Sequence, residues 1–362
     1  MKIKMITIHN IANFGSVFQA MALNRYLKQC GHQCEVIDYN PPYFTKGSLR
    51  TRVGRLLNYR SYRYRARKYR DFVSEYMDLT SRNYTSNAEL CAAQEEADIF
   101  LAGGDQLWNE FYDCGQDDAY KLTFTDGRKA AFGTSLGKNK FSVDGMRRLT
   151  DAVRSFEGIG IRERSGVELL QNAGIKQACH VCDPIFLLFK EDYMKHIRSV
   201  PLKEKYVFVY LVQASELLNQ AVEYISKKLG LKVVLYSGFI SKCRSDIKIK
   251  ELGPDETLSY LFNADFVLSA SFHASAFSVM FHKQFITLLP GENTNARIED
   301  FLTLLGLKNR FVTDRPSLEK AIAEPIAWDN VDHVLEDHIA RSKAYLQRIL
   351  ENSNFGGTLN SD

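Results

Sequence analysis

The stretch DFVLSASFHASAFSVMFHKQF, residues 265–285, brings several side chains that can bind anions or move protons into a few positions. Its first part is typical of a buried strand and its second part of a helix. The junction carries three serines and one histidine: Ser269, Ser271, His273 and Ser275. A helix begins with free amide groups that favour an anion, and imidazole exchanges protons near neutral pH. The pattern predicts a functional site, although a capping Ser271 and a His273 that completes a core hydrogen bond would also explain it.

Two loops in the first half of the chain carry complementary groups. HNIANFGSVFQAMAL places Asn13 and Gly15 between a strand and a helix, without the GxGxxG spacing of dinucleotide-binding loops. LAGGDQLWN ends a strand on two glycines and continues with acidic, amide and indole side chains. Its candidate residues are Gly103, Gly104, Asp105, Gln106, Trp108 and Asn109. Hydrogen-bonding groups beside a flat ring suit a hydroxyl-rich sugar, whereas a tight turn with a buried Trp is the structural alternative.

The segment GIGIRERSG places Arg162 and Arg164 at another predicted strand end. A guanidinium there can hold a carboxylate or a phosphate through two hydrogen bonds. A salt bridge to a nearby acid is the competing interpretation.

These candidates depend on an alternating series of strands and helices. Apolar segments such as KIKMITIH, QCEVIDY, ADIFLAGG, KAAFGTS, FEGIGIRE and QACHVCDPIFLL alternate with helical segments such as RSGVELLQNAG. A second series begins near Tyr206 with YVFVYLV, LKVVLYS, ADFVLSAS and QFITLLP. We therefore predict an α/β protein with two Rossmann-like parallel-sheet domains facing a central cleft. Ligands in such folds bind at the carboxyl ends of the strands.

The expected boundaries follow the change in pattern. The first domain spans residues 1–190 with a basic helical insertion at 45–80, and the second spans 200–330. A terminal helix at 331–353 and a flexible tail at 354–362 complete the chain. We assign the acceptor to the first domain and the donor to the second.

Composition narrows the class of protein. The chain has 362 residues, of which 45% are apolar, and this length supports two full cores. It lacks a run of about eighteen apolar residues, and MKIKMITIHN reads as a strand, so we expect a soluble, cytoplasmic protein. The seven scattered cysteines predict reduced thiols. Cys179 and Cys182 lack the second ligand pair of a zinc site, and we expect no metal.

Residues 50–70 contain eight arginines, one lysine and four tyrosines without an acidic residue. The whole chain has a net charge of only +4, so the excess positive charge is concentrated in this segment. Three interpretations remain open: a solvated helix face, contact with anionic lipid or another anion, and nucleic-acid binding. We expect no nucleic-acid partner because no nucleic-acid-binding module surrounds the segment.

The motifs as a set resemble those of a known family. NFGSVFQAMAL, GGDQLWN, AFGTSLG, IGIRERSGVELL, DPIFLL, SFHASAFSVMFHKQF and NARIEDFLTLLGLKNR follow the order seen in polysaccharide pyruvyl transferases. The resemblance covers about residues 5–310. It implies a fold similar to the two-domain GT-B glycosyltransferases and transfer of a pyruvyl group from phosphoenolpyruvate to two hydroxyls of a sugar. The expected acceptor is a saccharide on a polyprenyl carrier at the inner face of the cell membrane, in capsule or exopolysaccharide assembly.

The resemblance, together with this chemistry, assigns roles to the candidate residues. His273 is the expected general acid and Asp105 the expected base for an acceptor hydroxyl. The expected donor-binding residues are Arg162, Ser271, Phe272 and Arg297. The expected acceptor-binding residues are Asn13, Gly15, Gly103, Gly104, Gln106 and Trp108. Phosphoenolpyruvate is the only co-substrate implied, with no further cofactor.

The chain departs from the family pattern at four positions. Gly104 replaces a common Ser, Ala270 an acid and Ala274 a Gly. Ser271 occupies the position where distant relatives hold the donor with an Arg, so Arg162 or Arg297 must supply the positive charge.

Two other functions fit the sequence. A GT-B glycosyltransferase with a nucleotide-sugar donor would share the fold, and Glu292 and Glu299 resemble its donor-binding glutamate pair with one residue fewer between them. A non-catalytic carbohydrate-binding protein would bind glycan independently of phosphoenolpyruvate.

Overall fold

Seven parallel strands form the sheet of the first half of the protein. A computed structural model describes residues 1–44, 59–138, 140–210, 215–236, 243–288 and 296–351. The first-half strands are β1 (Lys2–Ile6), β2 (Gln33–Tyr39), β3 (Leu79–Tyr84), β4 (Ile99–Ala102), β5 (Lys129–Thr134), β6 (Gly158–Ile161) and β7 (Ala178–His180). Their order, β3-β2-β1-β4-β5-β6-β7, reverses direction between β1 and β4. A crevice forms beyond the strand ends at such a reversal.

The second half repeats this plan with a six-stranded parallel sheet. Its strands are β8 (Tyr206–Tyr210), β9 (Lys232–Tyr236), β10 (Ile247–Ile249), β11 (Phe266–Ser269), β12 (Gln284–Leu288) and β13 (Phe311–Val312). The order β10-β9-β8-β11-β12-β13 reverses between β8 and β11. The prediction of two parallel-sheet α/β domains is confirmed.

Helices connect and cover the strands. In the first half they are α1 (Phe14–Gln29), α2 (Tyr59–Tyr76), α3 (Asn87–Ala93), α4 (Asp113–Gln116), α5 (Val143–Val153), α6 (Arg164–Asn172) and α7 (Lys190–Met194). In the second half they are α8 (Glu216–Leu229), α9 (Pro254–Asn263), α10 (Phe272–Met280), α11 (Ala296–Leu304), α12 (Arg315–Ala323) and α13 (Trp328–Glu351). Short 3₁₀ turns occur at Pro42–Phe44, Asp118–Lys121, Pro184–Leu187 and Lys308–Arg310.

Helices α1 and α10 join the two halves through aromatic rings. Phe14 of α1 lies 5.2 Å from Tyr210 and 5.8 Å from Phe277, measured between ring centroids. Phe18 lies 5.5 Å from Phe277. Because these rings are buried, the contact stabilises the position of one sheet relative to the other. The start of α1 is thereby held beside the start of α10.

Three sequence expectations about local structure are corrected. The apolar run QACHVCDPIFLL forms only the short strand β7 and then a 3₁₀ turn, because Pro184 lacks an N–H and the Asp183 carboxylate accepts from the Ile185 N–H at 3.0 Å. Strands β3, β10 and β13 were not predicted; β3 lies at residues 79–84 and overlaps the end of the expected helical insertion at 45–80. The terminal helix begins at Trp328 rather than near residue 331.

The basic segment forms helix α2 from residue 59 onward, while positions 45–58 lie outside the described residues. One face of α2 is buried through Tyr69, Phe72 and Val73. Tyr64 Oη donates to Glu256 in α9 at 2.7 Å, and Arg65 Nη2 donates to the carbonyl of Ala12 at 2.9 Å. The helix therefore bridges the second half and the loop before α1. In the described ranges, no helix is both long and apolar enough to cross a bilayer.

The terminal helix α13 follows the second half in sequence but packs on the first half. Tyr345 Oη accepts from the Ile159 N–H at 2.9 Å and donates to the carbonyl of Gln177 at 2.8 Å. Ser342 Oγ accepts from the Cys182 N–H at 2.8 Å. The rings of His338 in α13 and His180 in β7 lie 4.6 Å apart. The first half is therefore covered in part by the last helix of the described residues.

His338→Gln should make the protein less sensitive to acid. Burial, followed by the nearby His180, lowers the pKa of His338 from 6.5 to about 3. The unfolded chain therefore binds a proton that the folded protein excludes, and stability falls as pH decreases from about 6.5 to about 3. This proton contributes about 1.4 kcal/mol per pH unit to the slope of the free energy of unfolding against pH. The contribution should disappear in His338→Gln. Urea unfolding across this pH range measures it.

His333→Gln, at an exposed position of the same helix, is the matched control and should keep the wild-type slope. Equal slopes for His338→Gln and the wild type would contradict the assignment.

Candidate active site

The candidate site lies where the ends of central strands from both sheets meet. Asp105 follows β4 and has a left-handed backbone with φ +76°, a conformation that Asp adopts more readily than most residues. Its backbone also forms a β-bridge to Thr134, the last residue of β5. Arg162 directly follows β6, and Asp183 follows β7 after two apolar residues. His273 is in the first turn of α10, so the second sheet contributes from the opposite side.

A buried ion cluster organises these residues. Arg162 Nη1 pairs with Asp183 Oδ2, and Arg162 Nη2 lies 3.3 Å from Asp105 Oδ1. Burial alone would raise the pKa values of both carboxyl groups, but Arg162 and His273 outweigh it and hold both pKa values below their usual range. Ser16 Oγ donates to Asp105 Oδ2 at 2.5 Å and stabilises the same ionised form. Both aspartates are therefore anionic at neutral pH.

A second guanidinium approaches the cluster from the other half. Arg297 Nη1 in α11 lies 3.9 Å from Asp105 Oδ1. Burial and then repulsion by Arg162 lower the pKa of Arg297 to about 10, so it remains charged at neutral pH. The Phe272 ring lies 5.0 Å from the Arg162 guanidinium and 5.7 Å from that of Arg297. This ring and Asp105 therefore hold the two cations close together.

His273 contacts both halves of the protein. Its Nε2 lies 3.5 Å from Asp183 Oδ2, a distance that suits an ion pair with a protonated ring. A Cβ atom added at Gly15 would lie 2.0 Å from His273 Nδ1. Only glycine therefore permits this close approach between the α1 loop and the imidazole. The side chain is buried, with 5% of the residue exposed.

Asn13 and Ser271 both serve as helix caps. Asn13 Oδ1 accepts from the Gly15 N–H at 3.0 Å and begins α1. Ser271 Oγ accepts from the Ala274 N–H at 3.4 Å and begins α10. Capping does not exclude a functional role, because both caps set the positions of residues at the contact between Gly15 and His273.

Three residues of the cluster were not predicted from the sequence: Ser16, Glu163 and Asp183. The buried Glu163 accepts from the N–H groups of Leu136 at 2.6 Å and Gly137 at 3.1 Å. Burial raises the pKa of Glu163 despite the nearby arginines. Asp183 belongs to DPIFLL, which carried part of the family resemblance, but no local pattern indicated its pairing. Ser16 and Glu163 gave no separate signal.

A cavity of about 430 Å³ opens beside the cluster, beyond the ends of β1, β2 and β4. Asn13, Asp105 and Gln106, three of the expected site residues, contribute to its wall. The rest of the wall consists of Ile8, Ile11, Ser16, Tyr43, Phe44, Phe111, Tyr112, Asp113 and Cys114. Asp105 both lines this cavity and pairs with Arg162, so it connects the cavity to the ion cluster.

The structure places three expected acceptor-binding residues elsewhere. Trp108 is 1% exposed, and its indole N–H donates to the carbonyl of Tyr120 at 2.9 Å, so its ring has no free face for a sugar. A Cβ atom at Gly104 would lie 2.3 Å from Gln19 Oε1, and one at Gly103 would lie 3.0 Å from Thr7. The two glycines therefore permit close packing of the end of β4 against its neighbours. Trp108 and the two glycines do not line the cavity.

The remaining candidates have ordinary surroundings. Arg164 Nε pairs with Glu168 Oε1 at 3.5 Å on the exposed face of α6, as the salt-bridge alternative predicts. Cys182 is buried beside α13, while Cys179 is half-buried. Glu299 lies in α11, and Glu292 lies outside the described residues. Over the ranges given above, no group of three or more His, Cys, Asp or Glu residues is placed to hold a metal ion.

Two facing parallel-sheet domains with a site between them define a GT-B-like α/β protein. The chain belongs to the polysaccharide pyruvyl transferase family, whose family model matches residues 13–291. This membership indicates an enzyme that transfers a pyruvyl group to a polysaccharide. No curated protein shows significant sequence similarity to the chain.

Solved structures share the fold at low sequence identity. A protein assigned as a UDP-N-acetylglucosamine 2-epimerase from Listeria monocytogenes has a TM-score of 0.62 at 9% identity, with 99% of each chain covered. The UDP-GlcNAc 2-epimerase of Methanocaldococcus jannaschii has a TM-score of 0.57 at 14% identity, with 90% of this chain and 93% of that chain covered. Arabidopsis thaliana UGT89C1 has a TM-score of 0.56 at 11% identity, with coverage of 97% and 99%. These similarities define the fold and do not favour the nucleotide-sugar alternative.

Asp183→Ala should destabilise the protein strongly. Removal of this carboxylate leaves the buried Arg162 guanidinium with Asp105, at 3.3 Å, as its salt-bridge partner among the described residues, and the loss of one partner from a buried ion pair costs about 3–5 kcal/mol. Urea unfolding at neutral pH measures the loss. The matched control is Asp144→Ala, which breaks an exposed Arg–Asp pair and should cost less than about 1 kcal/mol. Similar costs for both variants would contradict the role of the cluster.

Proposed function

We propose that the protein transfers the pyruvyl group of phosphoenolpyruvate to two hydroxyls of one sugar, forming a cyclic ketal and releasing phosphate. The observation that carries the proposal is the junction of His273, Arg162, Arg297 and Asp105 between the two sheets, in a chain of the pyruvyl transferase family. This junction combines an imidazole, two guanidinium groups and the start of a helix beside a cavity that can take the acceptor.

The proposed reaction proceeds in two stages. A proton adds to the methylene carbon of phosphoenolpyruvate, and one sugar hydroxyl attacks the adjacent carbon and loses its proton. The C–O bond to phosphate then breaks, and the second hydroxyl attacks the same carbon and loses its proton. The chain must supply one proton to carbon, accept two from oxygen and stabilise the departing phosphate.

His273 is the proposed general acid. Asp183 Oδ2 lies 3.5 Å from its Nε2, within ion-pairing distance. The same ring is held against Gly15, which limits its rotation. An imidazolium in this position can donate a proton and offset the charge of the donor. General acid–base catalysis of this kind contributes on the order of 10²–10⁴ in rate.

Asp105 is better suited to orienting the acceptor than to accepting its proton. Arg162, His273, Arg297 and Ser16 together hold the pKa of Asp105 below its usual range despite its burial, so the carboxylate is a weak base at neutral pH. Its contact with the cavity allows it to accept a hydrogen bond from a sugar hydroxyl and align that hydroxyl for attack.

The donor is proposed to bind at the Phe272 side of the cluster. The guanidinium groups of Arg162 and Arg297 lie 5.0 and 5.7 Å from the centroid of this ring, and the start of α10 adds a positive helix dipole. Phosphoenolpyruvate carries a carboxylate and a phosphate, which match two neighbouring cationic groups. No further cofactor is proposed.

His273→Asn should abolish ketal formation while the protein stays folded. The amide cannot serve as the acid, although it fills a similar volume. The assay measures phosphate release from phosphoenolpyruvate with galactosyl, glucosyl and N-acetylmannosaminyl acceptors, together with the mass of the pyruvyl ketal. The control His333→Asn should retain wild-type turnover. Turnover by His273→Asn within about tenfold of wild type would exclude His273 as the acid.

The exposed face of α2 is proposed to contact anionic lipid, close to a polyprenyl-linked acceptor at the inner face of the membrane. Arg60, Arg63, Arg67 and Arg70 share this face and, within the described residues, form no salt bridge. Tyr59, one helix turn before Arg63, is 53% exposed, and Tyr62 is 43% exposed. Cations mixed with amphipathic rings suit the charged interface of a bilayer.

Replacement of three arginines of this face by Gln, at Arg60, Arg63 and Arg67, should weaken binding to phosphatidylserine vesicles on the order of 100-fold. Each basic residue near the membrane surface contributes about 1 kcal/mol. Vesicle sedimentation at several salt concentrations measures the loss. A matched triple replacement of Arg147 and Arg148 on α5 and Arg154 directly after it removes equal charge and should have little effect. Equal losses for both triples, or wild-type binding that is insensitive to salt, would exclude a specific role for α2.

A further inference from the structure

Two large aromatic side chains are exposed at the wall of the 430 Å³ cavity. Phe111 is 57% exposed and Tyr112 is 52% exposed, whereas most large apolar residues of the described chain are buried. Neighbouring exposed rings cost free energy in water, and at a cavity they commonly mark a binding surface. The cluster chemistry described above does not use either ring.

The loop that carries the two rings has a defined structure. Asn109 Nδ2 donates to Gln106 Oε1 at 2.8 Å, and Asn109 Oδ1 accepts from the Phe111 N–H at 3.1 Å. A Cβ atom at Gly115 would lie 2.0 Å from the carbonyl oxygen of Asn109, which indicates close packing of the loop on itself. The Lys138 ammonium lies 4.3 Å from the centroid of the Phe111 ring. The rings are therefore presented by hydrogen-bonded backbone, so little ordering would be needed on binding.

Aromatic residues also form another part of the same wall. Tyr43 and Phe44 line the cavity from the turn after β2. The Tyr43 hydroxyl donates to Asp117 Oδ2 at 2.7 Å, which fixes the position of its ring. Asp117 also accepts from Tyr39 at 2.6 Å. The cavity thus has rings from two loops and the polar atoms of Asn13, Ser16 and Asp105 in its lining.

We propose that Phe111 and Tyr112, with Tyr43, form the platform that binds a pyranose ring of the acceptor saccharide. A pyranose has apolar C–H faces and a hydroxyl rim. The aromatic rings provide apolar surface for such a face, and the carboxylate of Asp105 accepts from a hydroxyl at the rim. The sugar would then lie between the platform and the ion cluster. This inference rests on the proposed function and replaces the role that the sequence assigned to Trp108.

The volume and composition of the cavity support a saccharide. A cavity of about 430 Å³ falls within the range of about 300–1,000 Å³ typical of small-molecule sites. Among the described residues that line it, the acidic ones are Asp105 and Asp113, and none is basic. A neutral, hydroxylated ligand therefore fits this cavity better than the anionic donor, which is attracted to Arg162 and Arg297.

Phe111→Ala and Tyr112→Ala, singly and combined, test the platform. The matched control is Phe189→Ala, which removes a ring that is 70% exposed and does not line the cavity. Binding of the methyl glycosides of galactose, glucose and N-acetylmannosamine is measured by saturation-transfer NMR without phosphoenolpyruvate. Initial rates then give the KM for the acceptor and the KM for phosphoenolpyruvate separately.

We expect the double variant to raise the acceptor KM at least about tenfold with an unchanged phosphoenolpyruvate KM, and to lose the NMR signal of the bound glycoside. Phe189→Ala should match the wild type in both experiments. An unchanged acceptor KM in the double variant, or wild-type protein that binds none of the glycosides, would overturn the platform. Glycoside binding that depends on Phe111 and Tyr112 in a protein without pyruvyl transfer would support the platform and refute the proposed function.

Discussion

The pairing of the Arg162 guanidinium with two buried carboxylates is the constraint on which the site depends. An arginine removed from water must meet compensating charge, and here Asp183 and Asp105 provide it from the ends of two other strands. The ends of β4, β6 and β7 are thereby fixed relative to one another. Because His273 contacts the same Asp183, the second sheet is tied to this arrangement as well. The same charged residues therefore form the candidate site and fix the position of one sheet relative to the other.

The contact between α1 and α10 makes this arrangement compact. Below the cluster, Phe14, Phe18 and Phe277 fill the space between the helices with buried rings. Near the cluster, Gly15 has no side chain, and the His273 imidazole occupies the space that a Cβ atom would take. The change from large rings to a glycine along one helix turn lets the halves pack tightly and still leaves room for an imidazole.

Strand periodicity predicted most of the central strands because these are continuous apolar runs. The strands β3, β10 and β13 are edge strands that escaped prediction: β10 and β13 have only three and two residues, and β3 has the polar sequence LTSRNY. The apolar run after β7 led to the opposite error, because it predicted a longer strand than the structure has. Pro184 has no N–H to donate to a neighbouring strand, so the strand ends before it.

Some residues of the candidate site could be predicted because they lie just beyond strands that the sequence reveals. His273, Arg162 and Asp105 stand at strand ends, and the position of a strand end can be read from sequence. The pairing of Arg162 with Asp183 joins residues 21 positions apart in sequence, and no local pattern records it. Trp108 shows the same limit: its indole is satisfied by the carbonyl of Tyr120, so the ring that looked available is part of the core. The exposed rings of Phe111 and Tyr112 lie only a few residues further along the same loop.

The path of α13 has a consequence for synthesis of the protein. Its residues Ser342 and Tyr345 satisfy backbone groups of Cys182, Ile159 and Gln177 in the first half, yet these partners lie 160–186 residues apart in sequence. Domains usually fold one after another as the chain leaves the ribosome. Here the first half cannot be covered until α13 has been made, so the nascent protein exposes that surface while the whole second half is being synthesised.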